Sequence, residues 1–305
     1  MKFIKYIFIL LSFSAIAQQD HINGLYMFNP MGINPAYAGS RDAVSTVLIH
    51  RSQWVGLNGA PTTQVFSINA PVGDKSMGLG GQITNDAIGP KSIITITGAY
   101  AYKVKLGKGK LAFGLQAGVL RYNYDWNAID YRDEQDALPK NAATNFTLPT
   151  FDFGLYFNTN TFYAGMSFNH MNQAKFQFND SIVNQNNFGR IYPHSTLTIG
   201  KAFVLSDKIT FKPSTIIKAT NVAGYMDLNL SVLFNNVFWA GVSLTSRNSL
   251  VPMIEINPNR RLRIGYAFEY STNVLSQTIG RNTHEIFLGY DFGGNKSKVL
   301  SPRYF

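Results

Sequence analysis

Residues 226–235 read Met-Asp-Leu-Asn-Leu-Ser-Val-Leu-Phe-Asn. Met226, Leu228, Leu230, Val232 and Phe234 fall on one side of a two-residue rhythm, and Asp227, Asn229, Ser231 and Asn235 on the other. Successive side chains of a strand point to opposite faces, so this stretch is a strand with one apolar and one polar face. The rhythm continues outward along the chain. Phe151, Phe153, Leu155 and Phe157 share a face, as do Phe162, Ala164, Met166 and Phe168. Ile209, Phe211, Thr215 and Ile217 oppose Thr210, Lys212, Ser214 and Lys218. Leu262, Ile264, Tyr266, Phe268 and Tyr270 oppose Arg261, Arg263, Gly265, Ala267 and Glu269.

A sandwich and a membrane barrel both give such alternation. A sandwich buries its apolar face and covers the other with charge. A transmembrane barrel turns the apolar face to lipid and the polar face to its lumen. Composition favours the barrel: aromatic residues make up 14% and charged residues only 14% of the chain, where ~25% charged is usual for a soluble domain. Segment length agrees, since the repeats run to about ten residues, the length a tilted strand needs to cross a bilayer. The expected fold is therefore all-β, an outer-membrane β-barrel of about 14 antiparallel strands. They lie near 43–54, 61–71, 76–86, 91–105, 109–124, 149–158, 161–170, 194–204, 208–219, 224–235, 237–246, 249–257, 260–272 and 282–292.

The connections carry the same message. With the first strand entered from the periplasm, even-numbered turns should be short and odd ones longer. The even turns are tight, as at Gly107-Lys108 and Asn235-Asn236, whereas the longest loops, Asp125–Leu148 and Met171–Pro193, are odd. Trp54, Tyr122, Tyr124, Trp126, Tyr163 and Trp239 lie near strand ends and are expected in the aromatic girdles that mark membrane interfaces.

Four segments follow. Residues 1–17 have a basic start at Lys2 and Lys5, an apolar run from Tyr6 to Phe13 and a small-x-small end at Ala15–Ala17, the layout of a signal peptide cleaved after Ala17. Cleavage would lower the net charge from +10 to about +8. Residues 18–42 form a strap, 43–292 the barrel and 293–305 a periplasmic tail. The strap holds Tyr26-Met-Phe-Asn-Pro-Met-Gly-Ile-Asn-Pro-Ala-Tyr-Ala-Gly39, with two Asn-Pro pairs and no helix or strand period. Proline donates no ladder hydrogen bond and forces extended or turn geometry on the residue before it. The strap cannot join the wall, yet it is too apolar for a free tail. It is expected to fold against the periplasmic mouth or into the lumen, or to order on a periplasmic partner.

Little points to chemistry. The chain has no cysteine and five scattered histidines, so no transition-metal site and no cofactor are expected. The loop Asp130–Asp136 concentrates four carboxylates that could hold calcium, but a solvated acidic loop is the plainer reading. No Gly-x-Ser-x-Gly elbow occurs and no enzyme is expected. Basic residues are dispersed rather than patched, which argues against nucleic acid. Lys212, Lys218, Asp227, Arg261, Arg263, Glu269, Glu285 and Asp291 fall on the polar parity of late strands and are expected to line the lumen as ion pairs.

Three stretches carry a resemblance: Asn29-Pro30 through Asn34-Pro35-Ala-Tyr37-Ala-Gly39, the hairpin His50-Arg51-Ser-Gln53-Trp54-Val-Gly56 through Gly59-Ala-Pro61-Thr-Thr-Gln64, and the terminal Ser301-Pro-Arg-Tyr-Phe305. With these the chain resembles the PorP/SprF family of outer-membrane proteins of the type IX secretion system of Bacteroidota. The resemblance implies a barrel in outer-membrane lipid that works with type IX components. It would bind or anchor sorting-domain cargo such as gliding or surface adhesins, or link the machinery to the membrane. Asn29, Pro30, Asn34, Pro35, Tyr37, Gly39, Arg51, Gln53, Trp54, Gly56 and Pro61 are the expected partner contacts. About fourteen strands enclose too little space for a folded domain to pass. The competing function is a porin-like or FadL-like channel for small solutes.

Overall fold

The computed structural model describes residues 24–41, 43–129, 143–176, 189–221, 223–272 and 282–293. The leader at 1–17, the acidic loop Asp130–Asp136 and the tail beyond 293 lie outside them. Fourteen strands run in chain order: β1 Val44–Ser52, β2 Thr62–Val72, β3 Met77–Ile88, β4 Lys91–Leu106, β5 Gly109–Asp125, β6 Ala143–Asn158 and β7 Phe162–Asn169. Then come β8 His194–Lys201, β9 Ile209–Ala219, β10 Gly224–Phe234, β11 Phe238–Thr245, β12 Ser249–Ile256, β13 Leu262–Ser271 and β14 Asn282–Phe292. Each pairs antiparallel with its sequence neighbours, and β1 pairs with β14, Val44 opposite Phe292 and Ser52 opposite His284. The sheet closes into a barrel and no ring strand is left with a free edge.

Two segments differ from the sequence reading. β6 begins at Ala143 rather than near 149, because it extends the long ladder with β5 as far as Asp125 opposite Ala143. The strand expected at 194–204 breaks at Ala202; a short strand Phe203–Ser206 pairs with the start of β9 outside the ring. Within the long β7–β8 connection, Lys175–Phe176 pairs with Gly189–Arg190.

The barrel is inside out relative to a soluble protein. Outward positions carry the exposed apolar side chains, among them Leu48, Ile96, Leu115, Leu228, Ile254 and Leu288. Inward positions carry buried Ser45, Thr97, Thr150, Thr196, Asn229 and Ser243. That is the pattern of a wall solvated by lipid. Short turns at one end use left-handed backbone where the hairpin twist requires it: Asn235 and Asn236 have φ of 50° and 57°, the primed turn that matches strand twist. In another such turn the Ser76 hydroxyl and amide donate to Asp74, which holds that exposed carboxyl below its usual range.

Three of the six residues expected in the aromatic girdle lie inside the barrel instead. Tyr122, Tyr163 and Trp239 are buried inside the lumen. Their parity is shared with small inward residues, Gly165 and Ser167 after Tyr163, Gly241 and Ser243 after Trp239. At the end with the short turns, rings pair on the outer half of the wall instead: Phe157 with Phe162, Phe203 with Phe211, Phe234 with Phe238 and Tyr290 with Phe292, centroids 4.6–6.4 Å apart. Short turns are periplasmic in outer-membrane barrels, and by that rule this end is called periplasmic and these rings are set at its interface.

Candidate functional site

The strap occupies the lumen. From Gly39 at the periplasmic end it crosses the interior through three single-turn 3-10 segments, Pro35–Tyr37, Pro30–Gly32 and Tyr26–Phe28, and Gly24, the first described residue, lies in the extracellular half. Leu25, Tyr26, Met27, Met31, Ala36, Tyr37 and Ala38 are all buried. Prolines can begin such turns because the first N–H of a helical turn has no partner to lose. The apolar residues pack on wall positions that break the polar inner pattern: Val47, Ile49, Val65, Ile216, Val251 and Phe287 join Leu25–Phe28 in one cluster, with the Phe28 and Phe287 rings 5.6 Å apart.

Glycines make the room. A Cβ on Gly114 would overlap the backbone of Pro35 and Ala36, one on Gly78 the backbone of Ala38, and one on Gly154 the Asn34 carboxamide. A Cβ on Gly80 would overlap the end of the Met31 side chain. Glycine inside a strand marks close approach of another backbone, and these glycines form a cradle that the strap fills.

Polar contacts fix the strap at both ends and in the middle. Asn34 caps the Pro35–Tyr37 turn, its Oδ1 accepting from Ala36 N at 2.9 Å, while its Nδ2 donates to the carbonyls of Leu155 and Met166 at 2.8 and 3.2 Å. Asn29 Oδ1 accepts from Ser67 at 2.9 Å. Gly39, left-handed at φ 65°, donates to Asn69 at 3.1 Å and its carbonyl accepts from Lys103 Nζ. Tyr37 sits edge-on to Tyr156, and Pro35 is buried beside them. At the far end Glu285 accepts from the backbone N–H groups of Gly24 at 2.7 Å and Leu25 at 3.0 Å. Arg51 binds Glu285 at 3.0 Å and Glu269 at 2.6 Å, making a buried latch. Tyr26 donates to Asp227, which is 0% exposed and also accepts from Tyr225.

The expected partner contacts therefore divide. Asn29, Asn34, Pro35, Tyr37, Gly39, Arg51 and Pro61 are buried within the protein itself. Pro30 is half-buried and lines a cavity at the periplasmic mouth. Gln53 is half-buried and its N–H donates to Pro61 O at 2.9 Å. Trp54 (40% exposed, φ 46°) and Gly56 (φ 101°) stand out at the extracellular turn. No atom lies within 4 Å of where a Gly56 Cβ would be.

The charges also divide. Lys212, Asp227, Arg263 and Glu285 are buried on the inner wall, and Lys218, Glu269 and Asp291 are partly buried there. Arg261 departs from the expectation: it precedes β13 in an exposed turn, so its parity never applies. Arg41, just ahead of β1, closes the ring of charges by binding Asp291 at 2.7 Å, with Arg263 at 3.6 Å from the same carboxylate. Lys212 Nζ lies 5.0 Å over the Trp239 ring. Sequence reasoning missed Arg41, the cradle glycines and the Glu285 latch. The inward parity of Gly78, Gly80, Gly114, Gly154 and Gly165 was the available signal. Among the described residues no three His, Asp or Glu side chains gather as a metal site.

Two cavities lie beside the strap among the described residues. One of about 50 Å³ opens at the periplasmic mouth between Phe28, Arg41, Lys212 and Arg263. The other, of about 110 Å³, lies above Gly32 and Ile33 in the extracellular half. Each has room for water, and the second is the roomier of the two.

Among solved structures the chain is similar in fold to the Ralstonia pickettii toluene transporter TbuX, with 11% identity, a TM-score of 0.52, and coverage of 89% of this chain and 94% of that one. It is likewise similar to the CymD monoaromatic hydrocarbon channel, with 13% identity, a TM-score of 0.51, and coverage of 92% and 96%. At such identities the likeness is one of fold, an outer-membrane barrel. No curated protein matches the chain at a significant level of similarity. The profile of the type IX secretion system membrane proteins PorP/SprF matches residues 15–290, nearly the whole chain. With its barrel fold and that match, the chain belongs to the PorP/SprF family of type IX secretion system membrane proteins.

Proposed function

We propose that the protein serves the type IX system as a closed barrel that binds rather than conducts. It would hold a sorting-domain cargo such as a surface adhesin at the outer membrane, or link the machinery to that membrane. One observation carries the reading: the strap fills the lumen through backbone contacts with wall glycines and is latched at its far end by Glu285 and Arg51. A barrel built as a conduit would gain nothing from a segment fixed across its bore. A barrel built as a platform gains rigidity, and its exposed rim at Trp54–Gly59 is left to meet a partner.

The test compares surface and secreted proteomes of wild-type and gene-deletion strains. Loss of one or a few surface adhesins, with most type IX cargo still exported, is the expected result. Loss of every sorting-domain protein would overturn cargo dedication in favour of a core assembly role. An unchanged proteome with altered uptake of a small solute would instead support a channel.

A further inference from the structure

The periplasmic mouth carries more positive charge than its own carboxylates answer. Arg41, Lys212 and Arg263 line one cavity with Glu255 and Asp291, three cations against two acids. Arg41 and Arg263 share Asp291, at 2.7 and 3.6 Å. An excess charge set into a wall of low dielectric is costly unless a counter-charge joins it. The cavity is not sealed. The Arg41 side chain is 19% exposed, and the exposed Arg260 lines the same space. An anion arriving from the periplasm can touch both guanidinium groups.

The excess continues around the rim. Lys105, Lys108, Lys110, Lys208, Arg260 and Arg261 are exposed at this end, against the exposed acids Asp74 and Asp207 among the described residues. Asp74 is already engaged by Ser76. Lys105 stands directly opposite Lys110 across the β4–β5 ladder, and like charges so placed repel. Parity says what this charge faces, because alternate side chains share a face. Ala99, Ala101 and Lys103 of β4 are buried inward, whereas Tyr100, Tyr102 and Val104 are exposed on the lipid side. Lys105 continues the inward series, and Lys110 shares the parity of buried Ala112. The two lysines, like the cations of the cavity, therefore open on the aqueous end of the bore and not on lipid at the outer wall.

We propose that the periplasmic mouth is a docking face for an acidic segment of a periplasmic protein, one of whose carboxylates sits between Arg41, Arg260 and Arg263. The inference deepens the reading of the barrel as a link between the machinery and the membrane, and rests on it. A field of one sign also steers the encounter and makes it sensitive to salt.

Fluorescence anisotropy on the detergent-solubilised protein tests it, with a labelled hexaglutamate peptide as the probe and hexalysine as the control. Saturable binding of hexaglutamate that weakens as salt rises, with none of hexalysine, is expected. Affinity should fall at least severalfold in a Lys105→Gln, Lys110→Gln, Arg260→Gln variant. It should hold in Lys175→Gln, Arg190→Gln, Arg247→Gln, which removes as much charge near the opposite mouth. Should the first variant fail to fold by heat-dependent gel mobility, Lys108→Gln, Lys208→Gln, Arg261→Gln, confined to exposed turns, takes its place. No binding, full binding by the folded rim variant, or equal loss in both variants would overturn the proposal. So would native mass spectrometry in which the rim variant keeps the peptide and sheds phosphatidylglycerol, since that assigns the charge to lipid. A barrel that stays electrically silent yet binds no hexaglutamate would refute the docking face and leave the closed platform standing. A conducting barrel that binds it would do the reverse.

Discussion

Gly114→Ala tests the cradle with a single methyl group. The new Cβ would meet three backbone atoms of the strap, in Pro35 and Ala36, all well inside 3.0 Å. Backbone held on both sides cannot swing away, so the strap must lift or the wall must bend. Overpacking of this kind costs about 1–3 kcal/mol, which raises the open fraction of the strap by about five- to a hundredfold at 1.4 kcal/mol per factor of ten. Chymotrypsin reads that fraction, because cleavage of an opened segment tracks the open population when closing is fast. Cuts after Tyr26, Phe28 and Tyr37, identified by mass spectrometry, should appear faster by that factor. Two controls sharpen the result. Gly80→Ala meets only the flexible end of Met31 and should cost much less. Gly98→Ala points outward with nothing within 4 Å and should change nothing. If Gly114→Ala leaves the strap as protected as Gly98→Ala does, the cradle argument fails.

Glu285→Ala removes the acceptor for two strap amides and leaves Arg51 short of a buried partner, a loss of about 3–5 kcal/mol. Cleavage after Tyr26 and Phe28 should accelerate more than cleavage after Tyr37, whose seat lies at the other end; equal acceleration would mean that the latch does not act locally. Arg51→Ala and Trp54→Ala should part company. The first should loosen the strap, while the second should leave barrel and strap intact and weaken only cargo display at the surface. Replacing Asn235 and Asn236 with Val puts branched side chains at φ 50° and 57°, a cost of roughly 1–2 kcal/mol each. The β10–β11 hairpin should then unfold at lower temperature by heat-dependent gel mobility, and an unchanged transition would contradict the turn assignment.

The barrel was legible because its rule is local. Two-residue alternation in stretches such as Met226–Phe234, with tight turns, most of them carrying Asn or Gly, at every second connection, needs no knowledge of distant residues. The destination of the strap was not legible in that way. Its prolines and aromatics say that it leaves the wall and needs burial, but burial against a mouth, a lumen and a partner all satisfy those needs. The deciding signal lay in other strands. Gly78, Gly114 and Gly154 sit on inward parity where a Cβ would collide with the strap, and Val47, Ile49, Ile216 and Phe287 are apolar where the rule asks for polar. Read together they outline a passenger. Read strand by strand they look like noise. The girdle assignment failed at Trp239 and Tyr163 for a related reason: both lie near strand ends, but parity sends them inward, and parity outranks proximity. Arg261 failed in reverse, since its parity was extrapolated into a turn where no strand geometry holds.

The central claim is that the strap closes the barrel, and conductance across a planar bilayer tests it most directly. The account predicts that the wild-type protein gives no steady open pore. A variant lacking residues 24–40, still folded by heat-dependent mobility, should conduct as a small-solute pore of about fourteen strands would. A large, steady conductance from the wild-type protein, unchanged when the strap is removed, would contradict the account.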